Sequence, residues 1–122
     1  MTETVTKPVD CSEQPVLCDK FIATFAFLGR KWNGLIIESL LNNGPMRFKD
    51  LSQMVTKCSD RVLVERLKEL EEGQIIERRT YENSSLIEYA LTPKGESMKE
   101  MMTAIHQWSD KWMVPNESVI TG

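Results

Sequence analysis

The sequence predicts a mainly α-helical domain that carries one small β-hairpin, and three observations support this. Runs of apolar residues at helical spacing recur from about Leu17 to Glu72. Two strand-like runs follow, Gln74–Tyr81 and Leu86–Leu91, separated by Glu82-Asn83-Ser84-Ser85, a polar turn of hairpin length. Thr92-Pro93 then opens a last helix, with a capping hydroxyl set before a first-position proline.

The elements follow in order. Residues 1–16, with Pro8 and Pro15, read as a flexible arm, residues 17–113 as the folded domain and residues 114–122 as a tail. The first helix begins near Leu17 or Cys18, sets Phe21, Ile22, Phe25 and Leu28 on one face, and stops at Gly29. A second helix runs from about Arg30 to Leu41, where Trp32, Leu35, Ile36, Leu40 and Leu41 recur at helical spacing. Asn42-Asn43-Gly44-Pro45 ends it. Met46-Arg47-Phe48 reads as a short extended stretch, followed by a two-turn helix of about Lys49–Val55 with Leu51 and Met54 inward.

Ser59 is a good cap for a fourth helix through about Glu72, because its hydroxyl accepts from an orphan backbone N–H and Asp60 suits the positive end of the helix dipole. Leu63, Leu67 and Leu70 form its buried stripe, and Gly73 terminates it. In the hairpin, Ile87, Tyr89 and Leu91 alternate with Leu86, Glu88 and Ala90, which predicts one core face and one partly wet face. In the last helix Met98, Met101, Ile105, Trp108 and Trp112 are spaced three, four, three and four, as in a coiled-coil seam. A domain this small has little core left to cover such a stripe. We therefore read Met101, Ile105, Trp108 and Trp112, with Phe21 and Phe25 of the first helix, as a homodimer interface.

At 122 residues the chain can build one compact core but hardly a second, and 41% hydrophobic with 27% charged residues is a globular mixture. The formal net charge of −3 argues against indiscriminate nucleic-acid binding. Residues 29–92 nevertheless balance ten basic side chains against ten acidic ones, so a local basic face remains open to the fold. The N-terminus lacks the basic start and apolar core of a secretory signal, and no apolar run approaches the roughly 20 residues of a membrane span. A cytoplasmic location is expected, and three cysteines without a disulfide-framework pattern fit a reducing compartment.

A short helix, a turn, a longer capped helix and an immediate β-hairpin make the winged helix-turn-helix order, in which the second helix of the pair enters the major groove of DNA. The residues add to that order. Leu28-Gly29-Arg30-Lys31-Trp32, Gly44-Pro45-Met46-Arg47-Phe48-Lys49-Asp50-Leu51, Leu63-Val64-Glu65-Arg66-Leu67-Lys68-Glu69-Leu70-Glu71 and Ile87-Glu88-Tyr89-Ala90-Leu91-Thr92-Pro93-Lys94-Gly95 together span most of the chain. In order and spacing this set resembles the HxlR family of bacterial regulators, relatives of MarR-type winged-helix proteins. The resemblance implies a dimeric repressor or activator that binds an inverted-repeat operator on double-stranded DNA. Two features depart from the family. Ser84 and Ser85 stand where its wing commonly carries prolines, and Cys58 matches no family feature.

On the fourth helix, Ser59, Asp60, Arg61, Val62, Glu65, Arg66 and Lys68 are the expected exposed positions. Arginine pairs bidentately with guanine, glutamate accepts from cytosine and valine touches a thymine methyl. A merely solvated charged face is the alternative. Arg47, Lys49, Lys57, Arg78 and Arg79, with Ser84 at the wing tip, read as backbone contacts that set register and affinity without reading bases.

Cys18 lies near the start of the first helix, where the dipole favours a thiolate, although adjacent Asp19 opposes it. The family resemblance implies a thiol switch there for oxidants, quinones or aldehydes, with Cys11 or Cys58 as possible disulfide partners. Most cysteines are simply small buried hydrophobes. No paired Cys-x-x-Cys is present and His106 is the sole histidine, so no metal or other cofactor is expected. No phosphate loop, nucleophile elbow or dinucleotide fingerprint points to an enzyme. Two other readings stay open: a regulator controlled by a non-covalent small ligand, and a winged-helix protein–protein interaction module.

Overall fold

The computed structural model describes residues 18–115. The elements run α1 (Asp19–Leu28), α2 (Asn33–Asn43), α3 (Phe48–Met54), α4 (Asp60–Glu72), β1 (Ile76–Thr80), β2 (Ile87–Leu91), α5 (Pro93–Glu96) and α6 (Lys99–Trp112). The mainly helical class with one β-hairpin is as the sequence predicts. The expected arm and most of the expected tail lie outside the described residues.

The chain falls into two compact units with the boundary between Arg30 and Lys31. In the first, α1 is capped by Cys18, ends at Gly29 and contributes no buried residue of its own. Its apolar positions Phe21, Ile22 and Phe25 are all exposed, and the rings of Phe21 and Phe25 meet edge to face at 4.9 Å.

The second unit holds the hydrophobic core, in which Ile36, Ile37, Leu40, Leu51, Leu63 and Leu70 are essentially sealed from solvent. Each such side chain contributes roughly 1.5–3 kcal/mol on burial. The stripe Leu63, Leu67, Leu70 anticipated on α4 is the face that α4 buries. β1 and β2 pair antiparallel from Ile76↔Leu91 at the base to Thr80↔Ile87 at the tip. Met46 adds one antiparallel bridge to Tyr89, with N–O distances of 2.9 and 2.8 Å, and so ties the start of α3 to the hairpin.

Four local expectations are corrected. The second helix begins at Asn33 instead of Arg30, because Trp32 has φ 82 in the left-handed region and cannot continue a right-handed helix. Met54 is 54% exposed while Val55 is buried, since α3 stops at Met54 and the turn that follows swings Val55 inward. The hairpin does not alternate cleanly. Ala90 and Leu91 are both buried at its base whereas Ile87 is exposed at its tip. The last helix is two helices that break at Ser97 and Met98, so Met98 and Met102 join the core and the stripe does not run unbroken from Met98.

Thr92 holds the junction between wing and helix. Its hydroxyl accepts from the Gly95 N–H at 3.1 Å and lies 2.6 Å from the Gln74 carbonyl oxygen, to which it donates. Lys94 Nζ donates to the Gly73 carbonyl at 3.0 Å, closing α4 against the same corner. Gly95 is buried there because a Cβ would run into the Ile75 carbonyl oxygen and Leu91 Cδ2.

Candidate nucleic-acid interface and thiol site

α3, the turn through Ser59 and α4 form the helix-turn-helix pair. Ser59 Oγ accepts from Val62 N at 3.2 Å, the N-cap bond expected from sequence. Burying Leu63, Leu67 and Leu70 turns Arg61, Glu65 and Lys68 outward, and all three are exposed. Arg61 and Glu65, one turn apart, form an outward donor and acceptor pair at the amino-terminal half of α4. Val62 is half-buried, while Val64, which the sequence reading passed over, is exposed.

Arg66 corrects the expectation of an exposed base reader. Its side chain is 13% exposed, its Nε donates to the Lys31 carbonyl at 3.2 Å, and its Nη1 donates to Glu69 Oε2 at 3.0 Å. The periodicity that buries Leu63 and Leu67 leaves position 66 at the edge of the buried face, where a long side chain folds over the protein.

Arg47, Lys49 and Ser84 lie together. With Phe48, Ser85, Leu86 and Ile87 they line one open cleft between the start of α3 and the wing tip. The Met46–Tyr89 bridge sets this spacing, and Asn83, with φ 61, makes the tip turn that Ser84 Oγ continues by accepting from Leu86 N at 3.0 Å. Two exposed cations and a hydroxyl on one rim suit phosphate contact.

The two wing arginines differ. Arg78 is exposed on one face of the hairpin. Arg79 lies on the other, 2.8 Å from Glu77 Oε2 and opposite Glu88 in register, and Tyr81 donates to Glu88 Oε1 at 2.7 Å. Its hydrogen bond to Glu77 holds the Arg79 proton more firmly than usual, and the bond to Glu88 holds the Tyr81 proton likewise. This exposed pair is a weak surface tie between Arg79 and its own strand.

Cys18 lies near the start of α1, as the sequence predicts, and is its N-cap, its Sγ accepting from Phe21 N at 3.4 Å. It is 5% exposed and disulfide-bonded. Cys58 is free and buried, so the sequence-level option of Cys58 as the partner of Cys18 is not what the structure holds. Burial pushes the Cys58 thiol above its ordinary pKa, partly offset by the nearby Arg66 charge, which corrects its reading as a reactive thiol. Cys11 lies outside the described residues.

Among the predicted interface residues, Phe21, Phe25, Ile105, Trp108 and Trp112 are all exposed, Trp108 and Trp112 by 58% and 62%, while Met101 is half-buried. No helix among the described residues is long and apolar enough to cross a membrane, and none of their carboxylate, cysteine and histidine side chains group as a metal site.

A family model described as HxlR-like helix-turn-helix matches residues 27–117, the span that contains the helix pair and the wing. The chain belongs to the HxlR-like helix-turn-helix family. The HTH-type transcriptional regulator YodB of Bacillus subtilis is 36% identical over 104 residues, which cover 84% of this chain and 92% of YodB. The reduced form of YodB superposes with a TM-score of 0.72 at 36% identity, covering 84% of this chain and all of that one. Quinone-bound YodB gives 0.69 at 38% identity, covering 79% and all of it. HxlR-like helix-turn-helix regulators bind DNA through the helix pair that α3 and α4 form here. On α4, sequence reasoning passed over the exposure of Val64 and misread that of Arg66. Val64 was concealed because helical position alone does not separate a flank from a centre. Arg66 was concealed because its acceptor is a backbone carbonyl 35 residues away.

Proposed function

We propose that this chain is a cytoplasmic, non-enzymatic transcriptional regulator that binds an inverted-repeat operator as a homodimer and changes its operator affinity when the Cys18 thiol reacts with an oxidant or electrophile. The carrying observation is the Cys18 sulfur at the N-cap of α1, with the Phe21 N–H aimed at it. In the structure this sulfur is held in a disulfide, and once it is reduced a donor and a helix dipole at the sulfur favour the thiolate, the form that attacks oxidants and electrophiles. That YodB is known in reduced and quinone-bound forms supports the same chemistry here.

With a peroxide, two thiols lose two protons and two electrons to form the disulfide, and the peroxide O–O bond breaks to give two waters. With a quinone, the thiolate adds to a ring carbon and the ring takes up a proton, leaving a thioether. Because Cys18 is 5% exposed, a reagent reaches it only through a local opening that uncovers the sulfur. The exposed aromatic rows on α1 and α6 supply the apolar surface for a second copy, and a dimer would present two α4 helices to successive major grooves about 34 Å apart.

The DNA-reading half is tested with a duplex selected from a random-sequence pool by the reduced protein. Arg61→Ala should cost about 1–3 kcal/mol on that duplex and narrow its margin over random DNA, whereas Lys49→Ala should weaken both alike. An Arg61→Ala protein that binds both duplexes as the wild type does would remove α4 from base reading.

A further inference from the structure

We infer that Arg66 is a positioning residue that couples the recognition helix α4 to the chain junction just beyond α1, so that a change at the Cys18 helix alters how α4 is held. This rests on the thiol-regulated reading above and supplies its route.

Arg66 leaves α4 at the position after Glu65, and its guanidinium makes two bonds in different directions. Nε grips the Lys31 carbonyl at 3.2 Å, while Nη1 is anchored to Glu69 on its own helix at 3.0 Å. The Glu69 bond fixes the plane of the guanidinium, so the group acts as a bracket and not as a flexible tether. Lysine, a point charge on a mobile stem, cannot make both bonds with that geometry.

The gripped carbonyl occupies a special position. Lys31 is the third residue after the end of α1 at Leu28 and the first of the second compact unit. The residue after it, Trp32, is in the left-handed region at φ 82, a conformation that a bulky side chain keeps only where its surroundings enforce it. One such restraint is the Lys31 ammonium, 5.2 Å from the centre of the Trp32 ring. The Arg66 bond to the carbonyl between them is another. Any shift in the end of α1 passes covalently through Gly29, Arg30 and Lys31, and a turn of the Lys31 peptide removes the acceptor that Arg66 holds. α4 then loses its polar tie to the junction at the edge of its buried face. A left-handed tryptophan held by its surroundings has an ordinary right-handed or extended alternative to relax into once a restraint is lost, which is how the junction would transmit the change.

The test uses the full chain, wild type, Arg66→Lys and Arg66→Met, with the duplex selected by the reduced wild-type protein. Wild type should change its affinity by about 5- to 150-fold between reduced and peroxide-treated states. Both variants should bind within a few-fold of wild type when reduced, yet respond to peroxide by less than about twofold. Variants that keep the full wild-type response overturn the coupling. Should the wild type itself not respond to peroxide, the thiol reading fails, and hydrogen exchange of the reduced, DNA-free proteins decides the coupling separately. Arg66→Lys should then speed exchange of amides in residues 30–36 together with α4, by about tenfold, in line with a lost local tie. Acceleration confined to α4, with residues 30–36 unchanged, contradicts the inference.

Discussion

His106 Nε2 on α6 lies 2.6 Å from Glu38 Oε2 on α2, and the same oxygen accepts from Asn42 Nδ2 at 3.0 Å. A carboxylate can only accept, so the imidazole donates from Nε2. The sole histidine thus ties the last helix to α2. Its side chain is 57% exposed, which limits its worth to about 1 kcal/mol or less. His106→Ala should therefore cost little in denaturant unfolding yet speed amide exchange along α6. A loss above about 2 kcal/mol would show that the bond holds more than one helix end.

Gly95 gives a larger effect. A methyl there meets a backbone oxygen and the Leu91 side chain at once, and a backbone oxygen cannot rotate away. Gly95→Ala should destabilise the protein by about 2–3 kcal/mol through overpacking, read as a fall in the urea midpoint at constant slope. An unchanged midpoint would mean that the corner between α5 and β1 opens freely.

The caps were legible because cap chemistry is local. Cys18, Ser59 and Thr92 each precede a helix and each accepts the N–H three residues on. Gly29 and Gly73 mark helix ends for the same local reason. Trp32 was illegible, since no propensity predicts a left-handed tryptophan and only the surrounding fold enforces one. The break at Ser97 and Met98 was hidden by methionines that suit either a core or a seam. The exposure of Arg61, Glu65, Arg47, Lys49 and Ser84 follows from periodicity and the wing register. The fates of Arg66 and Arg79 depend on partners across the fold or the strand.

Cys58 makes stability depend on alkaline pH. Its folded pKa is raised, so the folded state binds the proton more tightly than the unfolded chain. Stability is then complete below the unfolded thiol pKa and is lost as pH rises through the folded one. Urea unfolding between about pH 7 and about pH 10 should show a steeper loss for wild type than for Cys58→Ala. Equal slopes would mean that the thiol ionises alike in both states.

For the dimer, Trp108→Ala and Ile105→Ala each remove a large apolar group from the exposed face of α6. If these groups are buried between copies, each substitution should cost about 2–5 kcal/mol of association. Sedimentation equilibrium should show wild-type dimer at micromolar concentration and a shift to monomer in the double variant. A wild-type monomer at that concentration refutes the interface.

The central claim is that Cys18 is the thiol through which oxidants and electrophiles reach the DNA-binding face. Its most direct test is the affinity of the wild-type, Cys18→Ser and Cys58→Ser proteins for the selected duplex, before and after treatment with peroxide or a quinone. The account predicts that wild type and Cys58→Ser shift by about 5- to 150-fold and that Cys18→Ser does not shift. A Cys18→Ser protein that responds as strongly as the wild type would contradict it and leave Cys18 as a structural helix cap.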